Sequence, residues 1–356
     1  MTSPAQRIET AAATPISLAD KVAFLGRPEV YPHRPRDVTP KETHMSWVFL
    51  AGDKVYKLKK PVRFPYLDYS TLAAREANCR AELTLNRRLA PHVYEQVVAL
   101  TQSPGGLALG GEGEVADWLV VMRRLDERLT LEHAVETGAL AEEQLDRVVT
   151  VLVSFYRRAR SVFVSPAIYL ANWRRSLVYN KRILLDPRFA LPAGLIMRVD
   201  KALRRFLQTH GRLIEARVRG RQIVDGHGDL RPEHIFIGER ITIIDCLEFN
   251  AGLRAVDPFD EIAFLCVECD RIGAGWAGRY IRRRAVRELR DHLSDELFTF
   301  YRCHRAMLRA RLSIAHLLEA NPRTPEKWPR LARAYLGIAA ADARRLERLL
   351  KTPAGR

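Results

Sequence analysis

Before about residue 126 apolar residues recur with a period of two in several short runs between two helical stretches, and after it they recur at helix spacing. Residues 18–26 predict a short helix ended by Gly26 and Pro28, followed by a Pro- and Arg-rich connector from Pro32 to Pro40. The alternating runs Trp47–Leu50 and Lys54–Lys59, separated by a Gly52-Asp53 turn, predict a hairpin. Residues 72–89 place Ala81, Leu85 and Leu89 on one helical face, and strand-like runs follow near Val93–Leu100 and Trp118–Met122. Beyond residue 126, Leu145, Val148, Val149, Leu152, Phe155 and Tyr156 mark one helix, with others near 171–185 and 193–217. A short β-rich insert covers 223–245, and the remainder from Asp257 is helical and Arg-rich. The pattern predicts an α+β chain: a leader and short helix over residues 1–42, a small mixed N-terminal lobe over 43–125, and a large, mainly helical C-terminal lobe over 126–356. Two lobes sharing a cleft suit this length.

Composition adds limits. With 47% hydrophobic residues the chain can bury a sizeable core. No run approaches the roughly 18 consecutive apolar residues of a membrane helix. The first 20 residues lack the apolar centre of a secretory signal, so a loose leader and a cytoplasmic chain are expected. Cys79, Cys246, Cys266, Cys269 and Cys303 then read as free thiols. Cys266-x-x-Cys269 falls in an apolar helical stretch without a second pair, which favours packed core thiols over a zinc site.

The formal charge of +16 is unevenly spread. Residues 225–270 hold eleven carboxylates against three arginines, as a metal site or a site for a cationic substrate would. The run Arg279, Arg282, Arg283, Arg284, Arg287 and Arg290 reads as a solvated helix face. It has no aromatic interleaving, so nucleic acid is not an expected partner.

The chemistry centres on residues 224–245. His234–Ile237 and Ile241–Ile244 are apolar runs split by Gly238-Glu239-Arg240, a hairpin signal. An antiparallel hairpin sets the start of its first strand beside the end of its second. Asp229, before the first strand, and Asp245, closing the second, should therefore open at the same end. One aspartate accepting a hydroxyl proton and another holding Mg²⁺ is an arrangement that suits phosphoryl transfer.

Here the sequence resembles the aminoglycoside phosphotransferase family, with its protein-kinase-like fold. His227-Gly228-Asp229-Leu230 followed by Ile244-Asp245 is similar to the family's catalytic loop and metal-binding strand end. The resemblance implies Asp229 as catalytic base and Asp245 as Mg²⁺ ligand. Asp257-Pro258-Phe259-Asp260-Glu261-Ile262-Ala263 resembles the family's D-P-x-x-D-x-A helix start, with Asp260 supporting the loop or simply opening the helix. Where the family usually has a second metal-binding Asn, this chain has His234, either a metal ligand or a packed, loop-orienting residue.

In the N-terminal lobe, Val55-Tyr56-Lys57 resembles the kinase strand whose Val roofs adenine and whose Lys reaches the phosphates; the plain alternative is a solvated lysine. The resemblance makes Glu82 the partner of Lys57, with Lys59 as a backup on the same face, and places Met122 in the linker that meets adenine. Thr43–Ser46 would lie over the phosphates without a glycine-rich loop. The strings Glu42–Leu50, Val55–Val62 and His227–Ile235 together resemble a bacterial subgroup often fused to a C-terminal P-loop ATPase. No G-x-x-x-x-G-K-[S/T] occurs, so that half is expected to be missing, and Gly273–Gly278 reads as a flexible turn.

The expected activity is ATP- and Mg²⁺-dependent transfer to a hydroxyl of a small molecule. Glu248, Asp257 and Glu261 are candidates for attracting an amino-bearing acceptor. The alternative is a nucleotide-binding regulatory or interaction module with little or no transferase activity.

Overall fold

Helix α1 (Leu18–Leu25) begins where the Ser17 hydroxyl accepts the Asp20 N–H at 3.1 Å, and it stops at Gly26. It belongs to the first of two compact units, Met1–Arg87 with Pro91–Leu125; the second comprises Arg88–Ala90 and Asp126–Arg356. The structure, a computed structural model, describes residues 16–64, 66–319 and 322–351, so most of the leader expected before α1 lies outside the described residues.

The first unit is built on an antiparallel sheet of β1 (Val38–Glu42), β2 (Ser46–Ala51), β3 (Lys54–Lys59), β6 (Tyr94–Ser103), β7 (Gly106–Leu109) and β8 (Glu114–Arg123), in the order β1-β2-β3-β8-β6-β7. A two-stranded flap, β4 (Arg63–Phe64) and β5 (Leu67–Asp68), and helix α2 (Leu72–Asn86) lie between β3 and β6 in the chain. The β2–β3 turn takes Gly52 to φ +62°, a conformation that favours glycine and fits a two-residue hairpin. Strand β1 runs through what the sequence reads as connector. Pro40 is tolerated there because β1 is an edge strand, where a missing N–H costs no ladder bond.

Alternation along β3 sends Tyr56 and Leu58 into a core shared with Leu25, Tyr31 and Phe49. Val55, Lys57 and Lys59 therefore take the opposite face. Asp117 on β8 is buried between Lys21 of α1 and Arg75 of α2, each at 2.8 Å, and ties both helices to the sheet.

The second unit is mainly helical: α3 (Leu131–Glu136), α4 (Glu142–Arg158), α5 (Pro166–Leu184), α6 (Ala193–Thr209) and α7 (Gly211–Arg219) precede the β-rich insert. The single helix expected over 193–217 is broken at His210-Gly211. The insert holds β9 (Val224–Asp225), β10 (Ile235–Ile237) and β11 (Ile241–Ile243); α8 (Ala251–Arg254) and β12 (Ala255–Val256) follow it, with β9 paired to β12 and β10 to β11. Then come α9 (Pro258–Arg271), α10 (Gly275–Leu289), α11 (Asp295–Ala315) and α12 (Lys327–Leu349).

Helix α9 is buried from Pro258 to Cys269 and is the axis of this unit. Its acids, and its N-cap Asp257, meet arginines from other segments. Asp257 pairs with Arg217 at 2.5 Å, Asp260 with Arg305 at 2.6 Å, Glu268 with Arg309 at 2.7 Å and Asp270 with Arg302 at 2.6 Å. Much of the acidity of residues 225–270 is thus neutralised inside the fold. A block of one sign in the sequence became a set of ion pairs, because a buried carboxylate needs its partner. All five cysteines are buried free thiols.

The expected flexible turn at Gly273–Gly278 is mostly the start of α10. A Cβ on Gly278 would stand 3.1 Å from the Cα of Cys266, so glycine there lets α10 approach α9 closely. Arg282 and Arg284 of the arginine run are engaged by Asp295 and by Asp146 with Glu288.

Candidate active site

In the first unit, the β3 face that carries lysines looks onto α2. Glu82 is 1% exposed at its side chain and receives Lys57 Nζ on Oε1 at 2.9 Å and Lys59 Nζ on Oε2 at 2.7 Å. Lys59 is as buried as Glu82 and also meets Tyr69, whose hydroxyl is 3.4 Å from Nζ. Lys57 keeps 18% of its side chain exposed. Lys57 is therefore placed to meet a ligand, while Lys59 and Tyr69 hold Glu82 from behind. Val55 pairs directly with Met122 of β8, and Lys57 with Val120, so Val55 and Met122 share one level of the sheet. Thr43–Ser46 is the tight β1–β2 turn, closed by the Thr43 N–H donating to the Ser46 carbonyl at 2.8 Å.

In the second unit, the segment Gly226–Asp229 is held by its neighbours on all sides. His227 is fully buried, and its Nε2 donates to the Ile244 carbonyl at 2.9 Å. A carbonyl only accepts, so Nε2 carries the proton and Nδ1 can accept the Asp229 N–H at 3.3 Å. Burial pushes the His227 imidazole below its ordinary pKa, consistent with a neutral ring. Gly228 has φ +88°, and a Cβ there would lie 2.9 Å from Leu247 Cβ; one on Gly226 would lie 2.6 Å from Val256 Cγ2. Both glycines are required by this packing.

The carboxylate that reaches the loop is Glu261, so of the two readings of Asp260 the structure bears out the one in which it opens the helix. Glu261 accepts the Gly228 N–H on one oxygen and the Tyr156 hydroxyl at 2.9 Å on the other. Asp260 turns away to Arg305. The motif named the right stretch of helix, but successive helical residues point about 100° apart, and only one faces the loop.

Asp229, His234 and Asp245 converge beside the β10–β11 hairpin. Ligand atoms of Asp229, His234 and Asp245 all lie within 4.8 Å of one another. His234 Nδ1 is 2.9 Å from the Asp229 carbonyl oxygen, and Nε2 is 3.6 Å from Asp245 Oδ2. Asp245 sits at φ +62°, a conformation uncommon for a non-glycine residue. Arg231 Nη1 stands 3.5 Å from Asp229 Oδ2, and Arg231 also bonds Glu233. Burial works against the Glu233 carboxylate, but Arg231 and His234 together hold its pKa below the ordinary value. For a divalent cation this cluster offers two carboxylates and one imidazole. The oxygens fit hard Mg²⁺ well and the nitrogen fits it less well.

Of the acids expected to draw an amino-bearing acceptor, Asp257 and Glu261 are buried and committed to Arg217, Tyr301, Tyr156 and Gly228. Glu248 is half-buried, so that expectation now rests on it alone. Sequence reasoning missed Tyr69 and Arg231 as parts of the two clusters. Arg231, two residues after Asp229 in the same loop, had the proximity to be noticed; Tyr69 comes from a flap whose fold no local pattern announces.

No protein-family model matches the sequence. Uncharacterized proteins of Mycobacterium bovis and Mycobacterium tuberculosis are 31% identical to it over 289 residues, 79% of this chain. The chain spans 56% of the length of these curated relatives. Among solved structures, choline kinase from Cryptosporidium parvum superposes with a TM-score of 0.54 at 10% identity, covering 94% of this chain and 98% of the other. A thermostable mutant of aminoglycoside phosphotransferase APH(4)-Ia gives 0.51 at 13% identity, covering 88% and 96%. No helix among the described residues is long and apolar enough to cross a membrane.

Proposed function

On the premise that this chain has the protein-kinase-like fold of the aminoglycoside phosphotransferases and choline kinases, we propose that it is an ATP- and Mg²⁺-dependent phosphotransferase acting on a hydroxyl of a small molecule. The observation that carries the reading is the meeting of Asp229, His234 and Asp245 at one hairpin. Separately, the Lys57–Glu82–Lys59 set in the other unit has the chemistry of a phosphate anchor.

Asp229 accepts the proton of the attacking hydroxyl, and Arg231 at 3.5 Å steadies its carboxylate. Asp245 and His234 would hold the metal, which when bound would neutralise phosphate charge. Lys57 contacts a nucleotide phosphate, with Glu82 fixing its position and Lys59 fixing Glu82. Val55 and Met122 flank the adenine.

The test is Mg²⁺-dependent ADP release over a panel of hydroxylated acceptors, amino-bearing ones included. Acceptor-stimulated release supports the reading. Nucleotide binding without release from any acceptor, under every metal tried, would favour a regulatory module instead.

A further inference from the structure

His234 stands where the resembled family usually has an asparagine, and its hydrogen bonding decides what it can offer. The Asp229 carbonyl oxygen, 2.9 Å from Nδ1, accepts and cannot donate, so Nδ1 carries the ring proton. In the neutral ring the lone pair is then on Nε2. That nitrogen faces Asp245 Oδ2 at 3.6 Å, and both atoms bring electron pairs to the gap between them. Two neighbouring ligands of one ion, each about 2.1 Å from it, stand about 3 Å apart in an octahedral site. The observed separation needs only a small ring or carboxylate adjustment to meet that. The orienting bond from Nδ1 to a backbone carbonyl is also the usual support of a metal-bound histidine.

We propose that His234 Nε2 and the Asp245 carboxylate bind a divalent first-row transition metal, Mn²⁺ or one later in the series, in preference to Mg²⁺. The inference rests on the phosphotransferase reading and replaces Mg²⁺ in it as the preferred ion. Mg²⁺ is hard and holds oxygen ligands, so replacing an amide oxygen by an imidazole nitrogen penalises it. The same nitrogen strengthens binding along the series from Mn²⁺ towards Cu²⁺.

The test uses the full chain, Mn²⁺ as probe metal and the β,γ-methylene analogue of ATP, which puts no nitrogen beside the ion. Pulsed EPR should detect ¹⁴N coupling to bound Mn²⁺, changing to a ¹⁵N pattern in protein labelled with ¹⁵N-histidine. Mg²⁺ should displace Mn²⁺ only at about ten-fold excess or more, and His234→Asn should remove both the coupling and most of that excess. Mn²⁺ bound with the analogue but without histidine coupling would overturn the inference and leave the phosphotransferase reading standing. The coupling is read on the native protein, so poor folding of the variant does not obscure it. Failure of the analogue to bind with any metal would overturn both.

Discussion

Glu261 accepts the backbone N–H of Gly228. Through that bond α9 fixes the peptide that precedes Asp229, while the Tyr156 hydroxyl occupies the other carboxylate oxygen. Glu261 is fully buried, so its only exit from these bonds is to leave a charge unpaired. In the proposed reaction it would act through the loop, as a positioning residue.

Glu261→Gln keeps an acceptor for the Gly228 N–H and is expected to retain most activity. Glu261→Ala removes it and should lower kcat roughly hundred-fold, with little change in KM for ATP, because misplacing a reacting group costs on that order. Steady-state kinetics of the two variants check this. An equal loss in both would contradict a positioning role.

Asp260→Ala should behave differently. Its partner Arg305 is buried, and breaking such a pair costs about 3–5 kcal/mol. Denaturant unfolding should show that loss, while kcat of the folded fraction stays close to that of the native protein.

Lys57 and Lys59 share Glu82 but should separate experimentally. Lys57→Met should leave the unfolding midpoint nearly unchanged and reduce kcat/KM for ATP roughly hundred-fold, as loss of a charged donor does. Lys59→Met removes a buried partner of Glu82 and should cost about 3 kcal/mol of stability. Paired thermal melts and kinetics distinguish the two.

His304 is packed against Trp173 and Phe300, with Ser176 2.9 Å from Nε2. Burial, with Arg305 and Arg311 beside it, pushes its pKa down to about 3. The unfolded chain takes up the proton as pH falls through about 6.5, and the folded chain does not until about 3. Its contribution to stability is therefore whole above the unfolded value and lost progressively below it. His304→Phe should flatten the fall of Tm with acidification between those values. An unchanged slope would contradict the assignment.

Local patterns carried a good deal of this structure. The Gly52-Asp53 hairpin, the β10–β11 hairpin and the α4 face are set by periodicity and turn chemistry that any short window contains. Asp229 and Asp245 could be brought together on paper because an antiparallel pair fixes which ends meet. Choices that depend on distant partners were not legible. Whether Asp260 or Glu261 serves the loop depends on the rotation of α9 against residues more than 30 positions away. The meaning of the acidic block depends on arginines from α7 and α11. Strand β1 was hidden because Pro40 reads as a breaker until its edge position is known.

The most direct test of phosphotransfer at Asp229 is mass spectrometry of a metabolite pool incubated with ATP and a divalent metal. The native chain and Asp229→Ala are compared at matched folding. A phosphorylated product made by the native protein and reduced at least about hundred-fold in the variant is the expected result. The same product formed equally by both proteins would contradict it.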